Sequence, residues 1–109
     1  MYILCNTLAS KKITWDERKN AFLKKSRGLA FEDILEALAR DGPLWIREHP
    51  RKEKYPSQRL LAVLIDGYVF IVPYEVTHDE IIFKTIYPSR RATKEHRERE
   101  ESKDGQNPE

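Results

Sequence analysis

The feature that most restricts this chain is a pair of β-rich runs, Arg59 to Ile65 and Tyr68 to Tyr74, joined only by Asp66-Gly67. Asp-Gly between two such runs marks a two-residue hairpin, because both central residues of the favoured turn need positive φ. The turn sets the register, with Ile65 opposite Tyr68, Val63 opposite Phe70 and Leu61 opposite Val72. One face then carries Leu61, Val63, Ile65, Tyr68, Phe70 and Val72; the other carries Leu60, Ala62, Leu64, Val69 and Ile71. Both faces are apolar. The hairpin is therefore expected at the centre of a sheet, covered on both sides by helices or by another chain.

The flanking sequence supplies helices and further strands. Thr14-Trp15-Asp16-Glu17 has the form of a capping box and predicts a helix from Trp15 to about Ser26, with Trp15, Ala21 and Phe22 inward and Gly28 closing it. Phe31, Ile34, Leu35 and Leu38 repeat at helical spacing and predict a second helix, stopped by Asp41-Gly42-Pro43. Leu44 to Glu48 is a short strand candidate, 49–58 a polar loop, and Glu80 to Tyr87 a last strand ending at Pro88-Ser89. Arg90 to Glu101 is a helix candidate without an apolar stripe, and Ser102 to Glu109 reads as disordered. The expected architecture is α+β: two N-terminal helices on an antiparallel sheet of about four strands. Residues 1–12 form an extension, 13–93 the domain and 94–109 a charged tail.

Composition narrows the functions available. At 109 residues there is room for one small core. The longest apolar run, Leu60 to Ile65, is far short of the roughly 20 residues a spanning helix needs, and Met1 to Ser10 does not read as a secretory signal. A single cysteine, Cys5, excludes an internal disulfide framework and a multi-cysteine zinc site. A soluble, cytoplasmic protein that does not enter a membrane is expected. His49, His78 and His96 have no metal-ligand spacing, and four glycines form no phosphate loop, so neither metal nor cofactor is expected. The segment Lys94 to Glu109 holds four basic against six acidic residues and is net −2, so residues 1–93 carry +4 in a chain of net +2. That excess suits an anionic partner such as nucleic acid.

Two segments carry the cations with most chemical content. Lys84 falls within the last expected strand, on the side of Ile82 and Ile86, where its amine is either used or reaches past an edge. Arg90 and Arg91 follow at once, and no carboxylate lies between Glu80 and Glu95. Such a patch suits phosphate, although capping the sheet or pairing with acids would use the same residues. The loop His49-Pro50-Arg51-Lys52-Glu53-Lys54-Tyr55-Pro56 combines an imidazole, cations and an aromatic ring. Single-stranded nucleic acid is gripped by that mixture: Arg51 and Lys54 for phosphate, Tyr55 for stacking, His49 for proton transfer. A polar loop with a hydrogen-bonded histidine is the plainer alternative. Tyr74 and Glu75 are weaker candidates.

Ile13-Thr14-Trp15-Asp16-Glu17-Arg18-Lys19-Asn20, then Leu23-Lys24-Lys25 and Gly28-Leu29-Ala30-Phe31-Glu32-Asp33, resembles the opening of BrnT-type toxins of bacterial type II toxin–antitoxin modules. Lys84-Thr85-Ile86-Tyr87-Pro88-Ser89-Arg90-Arg91-Ala92-Thr93 is similar to that family's closing strand, and His49-Pro50 with Lys54-Tyr55-Pro56-Ser57-Gln58 looks like a subgroup signature. The resemblance covers about residues 13–95, and Ser26-Arg27-Gly28 stands where the family has Lys-His-Gly. It implies a compact relative of the RelE fold and a metal-independent RNA endonuclease that inhibits translation by 2′-OH attack. On it, Lys84 and Arg90 stabilise the phosphate, His49 or Tyr55 assists, and Lys25, Arg27 and Arg91 hold RNA. It also implies a cognate ribbon-helix-helix antitoxin, with the toxin a homodimer or part of a heterotetramer. A non-catalytic binding module, such as an inactivated toxin kept for operon autoregulation, is the alternative.

Overall fold

The computed structural model describes residues 11–106, with side chains to 101; residues 1–10, including Cys5, and 107–109 lie outside the described residues. In chain order the elements are β1 (Lys12–Trp15), α1 (Glu17–Arg27), α2 (Phe31–Asp41), β2 (Trp45–Glu48), β3 (Gln58–Ile65), β4 (Tyr68–Val76), β5 (Glu80–Phe83), β6 (Tyr87–Pro88) and α3 (Arg90–Gln106). The class is α+β.

The β3–β4 hairpin is the centre of the sheet, whose order is β1-β5-β4-β3-β2 with β6 also paired to β4. Its register runs from Gln58↔Glu75 to Ile65↔Tyr68, as the two-residue turn requires. Asp66 (φ 54°) and Gly67 (φ 79°) both occupy the left-handed region. Each apolar face has its own cover. Leu61, Val63, Val72 and Tyr74 pack under Leu23 of α1 and Phe31, Ile34, Ala37 and Leu38 of α2. Ala62, Val69 and Ile71, on the opposite face, pack against Ala92 of α3. No helix among the described residues is long and apolar enough to cross a membrane.

Among the described residues the sheet has six strands and is mixed, where about four antiparallel strands were expected. The added strand β1 pairs in parallel with β5, Ile13↔Ile81 through Trp15↔Phe83. Ile13, Thr14 and Trp15 are β-branched or aromatic and favour a strand, so the helix begins later than the capping-box pattern suggests. Asp16 is its N-cap: Oδ1 accepts from Arg18 N at 2.8 Å and Lys19 N at 3.4 Å. The inward face of α1 shifts accordingly to Asn20 and Leu23, and Phe22 is left 61% exposed. Trp15 instead packs at the edge of the core in a three-ring cluster with Phe31 (5.4 Å) and Phe83 (6.2 Å).

The expected last strand, Glu80 to Tyr87, is interrupted. β5 ends at Phe83, the chain leaves the ladder at Lys84, and a two-residue strand resumes at Tyr87. Ile86 is buried with the α1/α2 core. Beyond Ser89 the charged C-terminal segment is helical through Gln106, within α3.

Candidate nucleic-acid interface

The first turn of α3 places the arginines. Ser89 opens the helix: Oγ accepts from Ala92 N (3.0 Å) and its carbonyl accepts from Thr93 N (3.0 Å). Thr93 Oγ1 accepts from Val69 N (2.9 Å) on β4 and donates to Ser89 O (2.7 Å). Ala92 lies flat on Ala62, Val69 and Ile71, where a larger side chain would lift the helix. With Ala92 and Thr93 facing the sheet, Arg90 and Arg91 emerge into different hollows. Arg91 lines a groove on the β2 side of α3, and Arg90 lines a second hollow with Tyr68, Lys94 and Arg97.

The β2-side groove encloses about 350 Å³ and is built on one row across the sheet. Trp45 pairs with Ala62, Ala62 with Ile71, and Ile71 with Tyr87, so all four side chains share the α3 face. Leu60, Ile71 and Ala92 give the groove its apolar lining and an aromatic stands at each end, while Ala62 is fully buried beneath. Arg47, two residues along β2, projects from the same face, and its guanidinium carbon lies over the Trp45 ring, 3.9 Å from the centroid. Arg47 has no carboxylate partner among the described residues, whereas Arg91 Nε is 3.4 Å from Glu95 and Lys52 is 3.2 Å from Glu48 on the rim. Burial holds the Tyr87 phenol above its ordinary pKa, so it is neutral at physiological pH.

Lys84 sits beside this groove on the same face. Its N–H donates to Pro73 O (2.9 Å), and its amine is 3.6 Å from Glu75, both groups partly exposed. The other Glu75 oxygen lies 3.5 Å from Ser57 Oγ, the last residue of the loop before β3. Within that loop, His49 and Tyr55 pack ring to ring at 4.7 Å, and Lys54 lies over Tyr55 at 5.6 Å. His49 Nδ1 accepts from Arg51 N (3.0 Å), which leaves Nε2 to carry the ring proton. The loop, Glu75 and Lys84 thus meet at the sheet end away from the Asp66-Gly67 turn.

The expected catalytic and RNA-binding residues fall into four places. His49, Arg51, Lys54 and Tyr55 share the loop, and Lys84 approaches its end through Glu75. Arg91 joins the groove. Arg90 does not meet Lys84: Ser89 N bonds Val69 O whereas Lys84 N bonds Pro73 O, a separation of about 13 Å along β4 at about 3.3 Å per residue. Lys25 and Arg27 are exposed in the last turn of α1, in the layer behind the opposite face of the sheet. Tyr74 is buried in the core beneath the helices. Trp45, Arg47 and Tyr87 were not foreseen. The available signal was Trp45-x-Arg47, alternate residues of a strand and hence neighbours on one face. Among the described residues no group of three or more His, Cys, Asp or Glu side chains is arranged to hold a metal ion. No protein-family model, curated protein or solved structure matches the chain.

Proposed function

We propose that the chain is a metal-independent RNA endonuclease, the toxin of a type II toxin–antitoxin module, acting in the cytoplasm to inhibit translation. One observation carries this reading: a lysine–carboxylate pair, Lys84 and Glu75, stands partly exposed between a His/Tyr loop and a groove holding Arg47 and Arg91. Phosphate charge, a proton acceptor and proton donors are thereby available on one sheet face. In the reaction, Glu75 takes the proton of a ribose 2′-OH and the O2′–P bond forms. The P–O5′ bond breaks, and the departing 5′-oxygen is protonated from the Tyr55 hydroxyl, whose ring His49 packs against. Lys84 offsets the charge on the pentavalent phosphorane, and Arg47 and Arg91 hold the flanking backbone. The products are a 2′,3′-cyclic phosphate and a 5′-hydroxyl. The resemblance to BrnT-type toxins adds a ribbon-helix-helix antitoxin as partner.

A second reading, a module that binds RNA or the antitoxin without cutting, is favoured by the neutralisation of Lys84 by Glu75 and its distance from Arg90. Expression without a partner separates the two. The wild-type chain should arrest bacterial growth, and Lys84→Ala should relieve the arrest at equal levels of folded protein. Removal of a charge-stabilising donor lowers turnover by about 10²–10³. Growth unaffected by the wild type, or arrest undiminished by Lys84→Ala, counts for the non-cutting module.

A further inference from the structure

Between Trp45 and Tyr87 the sheet offers a shallow apolar lining of Leu60 and Ile71, bounded on one side by Ala92 at the start of α3. A hollow of about 350 Å³ lies near the lower limit of the ~300–1,000 Å³ typical of small-ligand sites. It takes one flat ring system and excludes a duplex. Tyr87 is 37% exposed although it belongs to the sheet, so its ring is presented to the groove mouth rather than used as core. The Arg47 guanidinium on Trp45 makes a second flat tier, and planar guanidinium groups stack on bases as aromatic rings do. Of the rim charges, Glu48 is satisfied by Lys52 and Glu95 by Arg91, which leaves Arg47 as the positive excess. An anionic ligand with a planar ring fits that balance.

We infer that this groove is a subsite for one unstacked nucleobase of single-stranded nucleic acid, stacked on Tyr87 or the Arg47–Trp45 tier, with Arg91 on its phosphate. The inference deepens the nuclease reading and rests on it for its biological role, because Tyr87 pairs with Ile71 and Lys84 with Pro73. About 7 Å of β4 separates the two, so the base in the groove belongs to a nucleotide next to the phosphate at Lys84. Glu95 then acts as an internal competitor: its carboxylate occupies Arg91 until phosphate displaces it. The substrate class is single-stranded RNA with an extruded base, and paired RNA is refused.

The test uses a strand that cannot be cut. A short fluorescein-labelled single-stranded oligodeoxynucleotide, lacking every 2′-OH, is titrated with the full chain at fixed salt and followed by anisotropy. At least one of Tyr87→Ala and Arg47→Ala should raise Kd by about fivefold or more, the effect of losing one stacked base, and the one that does identifies the stacking partner. Tyr87→Phe should retain binding, since the ring remains, and Glu95→Gln should lower Kd by freeing Arg91. Arg40→Ala, exposed at the end of α2 behind the other face, should leave Kd unchanged. Circular dichroism checks that each variant folds. Unaltered binding by Tyr87→Ala and Arg47→Ala overturns the subsite, as does a duplex competing as well as the single strand. Displacement of the strand by polyglutamate at equal charge overturns it in favour of an acidic protein segment. Groove-dependent binding without RNA cleavage would retain the subsite and remove the nuclease; cleavage with no effect of the groove variants would do the reverse.

Discussion

Asn20 shows how one buried polar side chain joins two helices whose shared apolar surface is small. It is 2% exposed, its Oδ1 accepts from Phe31 N at 2.7 Å, and its Nδ2 donates to Glu32 Oε1 at 2.8 Å. The first bond satisfies one of the free amides at the start of α2, where Ala30 has no side-chain oxygen for capping. The Asp33 carboxylate adds a bond back to Ala30 N at 2.8 Å. The hydrogen bond from Asn20, then one from the backbone of Glu32 itself, lowers the Glu32 pKa below 4.5. A lowered carboxylate adds stability above its unfolded pKa, and that increment is lost as pH falls through the folded value. Glu32→Gln should therefore be less stable than wild type at neutral pH, and the difference should shrink once the pH falls below the ordinary carboxylate range and disappear only in stronger acid, where Glu32 is protonated in the folded state too, by urea denaturation across pH. A difference that persists unchanged into acid would show that the ionised carboxylate is not what matters. Asn20 could not be singled out from sequence, because its value depends on a neighbour brought up by Gly28 in the left-handed conformation.

At the scale of elements, the Ser89-Arg90-Arg91-Ala92-Thr93 segment divides into residues that seat α3 and residues that α3 displays. Ala92 and Thr93 do the seating, through close packing and a hydroxyl that satisfies Val69 N of the central strand. Thr93→Val keeps the shape and leaves that buried amide without a partner, so it should cost about 1–3 kcal/mol by chemical denaturation. A cost below about 0.5 kcal/mol, the scatter of ordinary surface changes, would mean that α3 is held by other contacts. This division explains what could be read in advance. The α2 stripe, the Asp66-Gly67 turn and the hairpin register follow from residues close in sequence, and each has the expected form. β1 was hidden because its parallel partner β5 lies more than sixty residues away, while Thr14 and Asp16 both fit a helix start. The break at Lys84 was hidden for a similar reason: Ile82, Lys84 and Ile86 alternate like a strand, yet Lys84 is exposed and Ile86 turns into the other core.

Taken whole, the molecule has a sheet with a structural face and a working face. The face under α1 and α2 carries the larger core, with Ile65 and Phe70 half-buried toward the hairpin end. Among the described residues its opposite is covered only where α3 begins, which leaves the groove on one side and the Glu75–Lys84 pair at the sheet end. Cations foreseen as one cluster are therefore spread along that face, with Lys84 and Arg91 beside the groove and Arg90 in the neighbouring hollow. Trp45, Arg47 and Tyr87 complete it from strands too short to reveal their role in sequence. The most direct measurement of the central claim is the chemistry of RNA ends left by the purified chain in buffer containing a metal chelator, read by mass spectrometry. A 2′,3′-cyclic phosphate facing a 5′-hydroxyl, with no cut where a single 2′-deoxynucleotide replaces the nucleotide 5′ of the scissile phosphate, is the expected result. Intact RNA, or fragments ending in a 3′-hydroxyl and a 5′-phosphate, would contradict attack by the ribose hydroxyl at Lys84 and Glu75.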